Sequence, residues 1–320
     1  MNKKLLATTA IASLGVAFSA AAEVKLSGNL EYVMQSISSE EVSAGSSDDF
    51  EGIESNIKFN ASKDTDFGTL SYGFGLENGA EEGAKIQLDT DNVVVNIGSD
   101  SFQNLSATVV PNTGESWQTV LGNTGALAYE SSFDLGAVTS KNAFGYAVGA
   151  KVAGGTLSAR YTNDSSSGNA AAAGAAGTGG STNTIMYSGS LGVDGLSVLV
   201  GRTTIEAADL NTVDGEGTSM GIAYNMGQFT FGAAKKDFED AATTAAAQDE
   251  FNTKEFGIGY AVNDNMTVAV NYVETDGDNA GIDFAANEEI WGVGVGYNLG
   301  GIALEVSYAE VENAGGTAGK

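Results

Sequence analysis

The sequence predicts an all-β fold, an up-and-down transmembrane β-barrel, on three observations. Apolar and polar residues alternate with period two in segment after segment, which gives strands with one apolar and one polar face. Tight turns alternate with longer polar loops, the asymmetry of a barrel with turns at one end and loops at the other. The polar face is built of Gly, Asn, Ser and charged residues, material suited to a watery lumen. A soluble β-sandwich also alternates, but its apolar face must fill a core.

The elements follow in order. Met1 to Ala22 carries Lys3 and Lys4, an apolar run from Leu5 to Phe18 and the small residues Ala20, Ala21 and Ala22. That pattern is a cleavable secretory signal, with an apolar run too short for a spanning helix. Its removal takes two positive charges from a formal −27, leaving about −29. Val24, Leu26, Leu30, Tyr32 and Met34 then share one parity, opposite Lys25, Ser27, Asn29 and Glu31. An acidic loop, SSEEVSAGSSDDFEG, precedes a second strand with Ile57, Phe59 and Ala61 against Glu54, Asn56, Lys58 and Asn60. Leu70, Tyr72, Phe74 and Leu76 mark a third, Ile86 and Leu88 against Lys85 and Gln87 a fourth, and Val93, Val95 and Ile97 a fifth.

Then the rhythm stops from Ser99 to Asn142. A stretch that long without a strand pattern is uncommon in a compact domain. It holds Pro111, Trp117, Phe102, Leu105, Val109, Val110, Val120 and Leu121, more apolar content than a disordered segment carries. We expect it to fold into the barrel and narrow it; an ordinary surface loop or a short strand pair is the alternative.

The alternation resumes with Phe144, Tyr146, Val148 and Val152, and returns through Gly154-Gly155 into Leu157, Ala159 and Tyr161. A Ser/Gly/Ala loop from Ser165 to Thr182 follows. Ile185, Tyr187, Leu191 and Val193 are expected to turn at Asp194-Gly195 into Leu196, Val198 and Val200. Arg202 breaks that parity, through a bulge or by lying beyond the membrane edge. Three hairpins close the chain, turning at Gly227-Gln228, at Asn263 to Asn265 and at Gly300-Gly301. The total is about fifteen strands, with Tyr, Phe and Trp recurring near their ends as in an interfacial belt.

Composition removes several function classes. The chain has no Cys and no His, so the usual zinc, copper and haem ligand sets and the commonest general base are missing. Strong negative charge argues against nucleic acid as a partner. No cofactor is expected. The acidic loops SSEEVSAGSSDDFEG and ETDGDNAGID offer oxygen ligands for calcium, alone or bridging lipopolysaccharide, but neither has the twelve-residue calcium-loop spacing.

The opening strand AEVKLSGNLEYVMQ, the hairpins GTLSYGFGLENG and GVGVGYNLGGIALEVSYAEV, the leader and the long interruption after the fifth strand together resemble the general porins of Gram-negative outer membranes, particularly the alphaproteobacterial type. The resemblance covers the whole mature chain, residues 23–320. It implies a sixteen-stranded barrel, a homotrimer, an outer-membrane location, and a third loop folded inward as the constriction. It further implies a water-filled channel for passive diffusion of small hydrophilic solutes and ions, and no enzyme. A non-channel barrel acting in adhesion or envelope structure is the alternative. Such porins end on a strand with a C-terminal aromatic; this sequence ends NAGGTAGK, so its final strand is expected to be missing.

A pore needs an aperture and charges across it. On the polar parity the basic residues are Lys25, Lys58, Lys85, Lys151 and Arg160. Candidate acidic partners in the long stretch are Asp100, Glu115, Glu130 and Asp134. The resemblance implies that basic wall and acidic loop face one another. The plainer reading is that the lysines balance Glu31, Glu54 and Glu77.

Overall fold

The computed structural model describes residues 23–36, 49–77, 80–98, 144–163, 181–206, 214–240, 250–279, 282–283, 285–300 and 302–313. Residues 1–22, 99–143 and the final seven lie outside them. The described residues form β1 (Glu23–Ser36), β2 (Asp49–Thr65), β3 (Gly68–Glu77), β4 (Ala80–Asp89), β5 (Val93–Gly98), β6 (Phe144–Val152), β7 (Gly155–Asn163) and β8 (Ser181–Gly189). They continue as β9 (Leu196–Glu206), β10 (Gly215–Met226), β11 (Phe229–Asp240), β12 (Glu250–Asn263), β13 (Met266–Asn279), β14 (Ile282–Asp283), β15 (Glu288–Asn298) and β16 (Ala303–Glu312).

One sheet joins them in chain order, and β14 is a two-residue piece paired to β13 off the main path. Each strand on the path runs antiparallel to its sequence neighbour. The fold is thus the up-and-down sheet that the alternation predicts. Among the described residues no helix is long and apolar enough to cross a membrane; a β-barrel crosses with its strands.

The polarity of the sheet is inverted relative to a soluble protein. On β10, Gly217, Ser219, Gly221 and Ala223 are buried while Met220, Ile222 and Tyr224 are exposed. Across β15 and β16, Val295 pairs Val306 on the outer face, where Val306 is 74 % exposed, while Gly292 and Gly294 are buried on the other. Water would drive apolar area of this extent out of contact. A lipid surround accepts it, and the ladders satisfy the backbone within the sheet.

Aromatic residues bracket the apolar band. Phe229 packs at 4.7 Å on Tyr260 near the tight turns, and Trp291 at 5.5 Å on Tyr308 towards the loops. Beyond the second pair the outer face turns polar. Lys235 meets Asp237 at 2.9 Å, Lys254 meets Glu274 at 2.8 Å, and Glu289 lies opposite Glu274 and Glu312.

One open local reading is decided and three change. Arg202 sits on an unbroken ladder opposite Ile185 and Thr218 and pairs with Glu216. No bulge intervenes; the residue faces outward where the polar rim begins. The hairpin expected at Asp194-Gly195 is a longer connection, because β8 ends at Gly189. Leu191 takes φ 52° there, and the Tyr187 hydroxyl donates to Ala153 O and accepts from Leu191 N. Finally, both acidic loops give up residues to strands. Asp49 to Gly52 belong to β2 and Glu274 to Asn279 to β13. Beyond the apolar band the surround is no longer hydrocarbon, so acidic residues can take their places on the ladder.

Candidate functional site

The lumen face of β1 to β4 carries three of the expected lysines in two adjoining rows. Lys25 lies opposite Asn60, Asn60 opposite Gly73, Gly73 opposite Lys85, and Lys85 opposite Gly98. Lys58, two residues from Asn60, lies opposite Ser27 and Gly75. Neighbouring strands stand about 4.8 Å apart, so Lys25 and Lys85 are roughly 14 Å apart along the row. Lys25 and Lys58 are exposed and Lys85 half-buried.

Glycine opposite these lysines has a steric reason. A Cβ on Gly73 would stand 3.2 Å from Asn60 Oδ1 and 3.7 Å from both Cγ and Cε of Lys85. The Lys85 stem therefore lies along the floor that Gly73 leaves, with its ammonium free to reach the lumen.

The other two basic residues sit elsewhere on the same face. Arg160 is half-buried on β7 between Ala147 and Thr184, in the row of Asn96, Gln87 and Ser71. Lys151 lies at the tight-turn end of β6 and pairs with Asp89 at 2.6 Å. The rival carboxylates form their own group. Glu31 is opposite Glu54, two lumen steps from Ser27 and Lys58, and Glu77 is opposite Asn56. Asp100, Glu115, Glu130 and Asp134 lie outside the described residues.

The lumen face of β8 to β15 is different. One row runs Leu199, Gly221, Ala234, Glu255, Val273, Ile290 and a second Gly201, Ser219, Lys236, Thr253, Thr275, Glu288. Phe251, Val273 and Ile290 are each 1 % exposed. Lys236 and Glu255 form a buried ion pair, and the Thr253 and Thr275 hydroxyls share a hydrogen bond of 3.1 Å. None of these apolar residues was anticipated as part of a lumen. The signal was present: each falls on the polar parity of its strand, beside Phe256, Tyr272 and Trp291 on the apolar one.

A wall of lysine, asparagine and glycine can attract, orient and pass hydrated polar solutes. Among the described residues there is no group of three or more His, Cys, Asp and Glu that could hold a metal ion.

Comparison with known proteins agrees with this geometry. The sequence pattern of the Gram-negative porin family matches residues 7–316. A search among curated proteins finds no match. Among solved structures, a loop L8 deletion mutant of OmpT, an outer-membrane protein of Vibrio cholerae, superposes with a TM-score of 0.67 at 11 % identity, covering 91 % of this chain and 93 % of that one. A porin refined at 1.8 Å resolution gives 0.59 at 14 % identity, over 90 % and 94 % of the two chains. A mutant of the Rh. blastica porin gives 0.54 at 19 % identity, over 92 % and 96 %. At such identities the structures establish the shared fold, and the family match establishes the kinship. The family is one of non-enzymatic channels. The chain belongs to the Gram-negative porins, outer-membrane proteins that form water-filled channels for the passive diffusion of small hydrophilic solutes and ions.

Proposed function

We propose that Lys25, Lys58 and Lys85 form the basic side of the narrowest part of the channel, and that the stretch 99–142 folds inside the barrel to supply the acidic side. The single observation that supports this is the register: three lysines on four consecutive strands fall in two adjoining lumen rows over a glycine floor. Asp100, Glu115, Glu130 and Asp134 would then face the lysines, and the transverse field between them would order water and favour polar over apolar solutes. Arg160 extends the basic side, and Lys151 with Asp89 belongs to the mouth. The long stretch also holds apolar residues, Trp117 among them, that an outer loop would leave in water. With an acidic chain around a narrow passage, the pore is weakly cation-preferring.

Two features of assembly belong to the same reading. The chain is a homotrimer, as the family often is, and the polar outer rim formed by Arg202, Lys235, Lys254 and Glu274 meets the headgroups of lipopolysaccharide. No cofactor takes part and the chain catalyses no reaction. The leader 1–22 is cleaved on export.

The test is electrical. Deleting Val110 to Gly122 from the exported protein should raise single-channel conductance and the solute size limit in planar bilayers, with the barrel still folded. Unchanged conductance in a folded deletion variant would place the stretch outside the pore. Changing Lys25, Lys58 and Lys85 together to Gln should deepen cation preference, read as the reversal potential in a salt gradient.

A further inference from the structure

The connection between β8 and β9, Ser190 to Gly195, carries a leucine where the backbone asks for glycine. Leu191 takes φ 52°, and Gly192 and Gly195 beside it take 75° and 76°. A bulky side chain at such an angle is an outlier that costs free energy. Glycine holds comparable angles at Gly154, Gly227 and Gly300, in the β6–β7, β10–β11 and β15–β16 turns. Leu191 recovers little of that cost by burial within the protein. It is 52 % exposed, and Val193 two places on is 49 % exposed. The turns after β4 and β12, by contrast, are Thr90-Asp91-Asn92 and Asn263-Asp264-Asn265.

The connection is held at both ends by tyrosines of the outer face. The Tyr187 hydroxyl donates to Ala153 O at 2.9 Å and accepts from Leu191 N at 3.2 Å. At the other end a Cβ on Gly195 would stand 3.7 Å from Tyr224 Cε2. Between them the backbone lies on the β6–β7 turn. The Ser190 N–H and hydroxyl both donate to Gly154 O, at 3.1 and 3.2 Å. A Cβ on Gly154 would meet Gly192 N at 2.8 Å, and one on Gly189 would meet Gly155 Cα at 2.2 Å, so glycine is what permits this closeness. Tyr187 is opposite Leu157 and Val200, and Tyr224 opposite Leu196 and Phe231, all on the apolar parity. The connection is therefore fastened at the outer edge of the sheet, at the tight-turn end of the lipid face.

We propose that the β8–β9 connection is a lipid anchor, with Leu191 and Val193 set into the boundary between headgroups and acyl chains of the phospholipid leaflet at the tight-turn end. Continuity names the occupant. Val152 and Leu157, both exposed on the apolar parity, join the connection to the outer face that hydrocarbon surrounds. The strained φ of Leu191 is then offset in the membrane rather than in the protein, because two aliphatic side chains leave water there. Asp194, the one charged residue of the connection, is exposed and meets the headgroup layer. The anchor fixes the depth of the β6–β9 side of the barrel, while the polar turns after β4 and β12 stay in water. It is independent of how the channel is narrowed.

The chain contains no cysteine, so a single bimane-labelled cysteine reports one place at a time. The variants are Leu191→Cys, Val193→Cys, Asp264→Cys on the polar β12–β13 turn and Val306→Cys on the outer face. Each is folded into lipid nanodiscs, whose two faces both meet water. Two quenchers are applied in turn: aqueous iodide, and phosphatidylcholine brominated near the top of its acyl chains. Brominated lipid should quench the probes at 191 and 193 at least about twofold more than the probe at 264, with Val306→Cys setting the upper limit. Quenching by brominated lipid below that margin at either position overturns the anchor. Iodide then says what takes its place. Iodide quenching equal to that of Asp264→Cys puts the connection in water, and weaker iodide quenching puts it under protein, as at a contact with a second copy.

Discussion

The lumen faces of β1–β4 and of β8–β15 are built on the same ladder and the same alternation, yet they differ in what they meet. The first carries exposed lysines over a glycine floor. The second carries a buried phenylalanine, valine and isoleucine with a buried ion pair beside them. Alternation assigns each residue a face. Whether that face looks at water or at protein depends on the residue types along it, and the charges show the difference most directly.

The largest expected effect comes from a charge on the less exposed wall. Lys236 and Glu255 side chains are 7 % and 12 % exposed, so Lys236→Met leaves a carboxylate buried without its partner. Such a loss typically costs about 3–5 kcal/mol, read by urea unfolding of the barrel in lipid vesicles. A cost under about 1 kcal/mol, as at solvated pairs, would erase the distinction between the walls.

Next is the test of inside against outside. Val295→Arg places a charge on the lipid face and should cost about 2–4 kcal/mol if mid-membrane. Gly294→Arg, its neighbour on the lumen face, should cost clearly less by the same unfolding assay. Equal tolerance would contradict the inverted polarity of the sheet.

Smaller again is Lys58→Met on the open wall. With the side chain exposed, stability should change by no more than about 0.5 kcal/mol, while the reversal potential moves towards cations. A stability loss like that of Lys236→Met would show that the lysine wall is packed too. A comparably small effect on stability, with no change in reversal potential, belongs to Arg202→Ala. Its partner Glu216 and the arginine are 47 % and 60 % exposed, and exposed pairs contribute about 0–1 kcal/mol.

Much of this was legible in the sequence because the barrel uses few local rules. The β10–β11, β12–β13 and β15–β16 hairpins follow from turns of Gly, Asn and Asp between alternating runs, and the lipid face follows from parity. The connection between β8 and β9 was not legible. It depends on Tyr187 tying Leu191 of its own connection to Ala153 of the neighbouring hairpin, a contact with no mark in the local string. The common face of Lys25, Lys58 and Lys85 could be read from parity. The single row through Lys25, Asn60, Gly73 and Lys85 could not, because register depends on turn geometry and on bulges such as the one at Gly75/Leu76. The burial of Phe251, Val273 and Ile290 on the inner face was missed because three residues out of parity look like noise until their burial is seen.

The strict succession of neighbours along the sheet has a consequence for how the protein changes over generations. Among the described strands, each pairs with the strand before it and the strand after it. A hairpin is then a self-contained unit of inheritance: copying or losing one alters the circumference by two staves and leaves the pairing of all the others untouched. A chain of this design can drift in width, and so in the size of what it admits, by whole steps, without first dismantling an interlocked core.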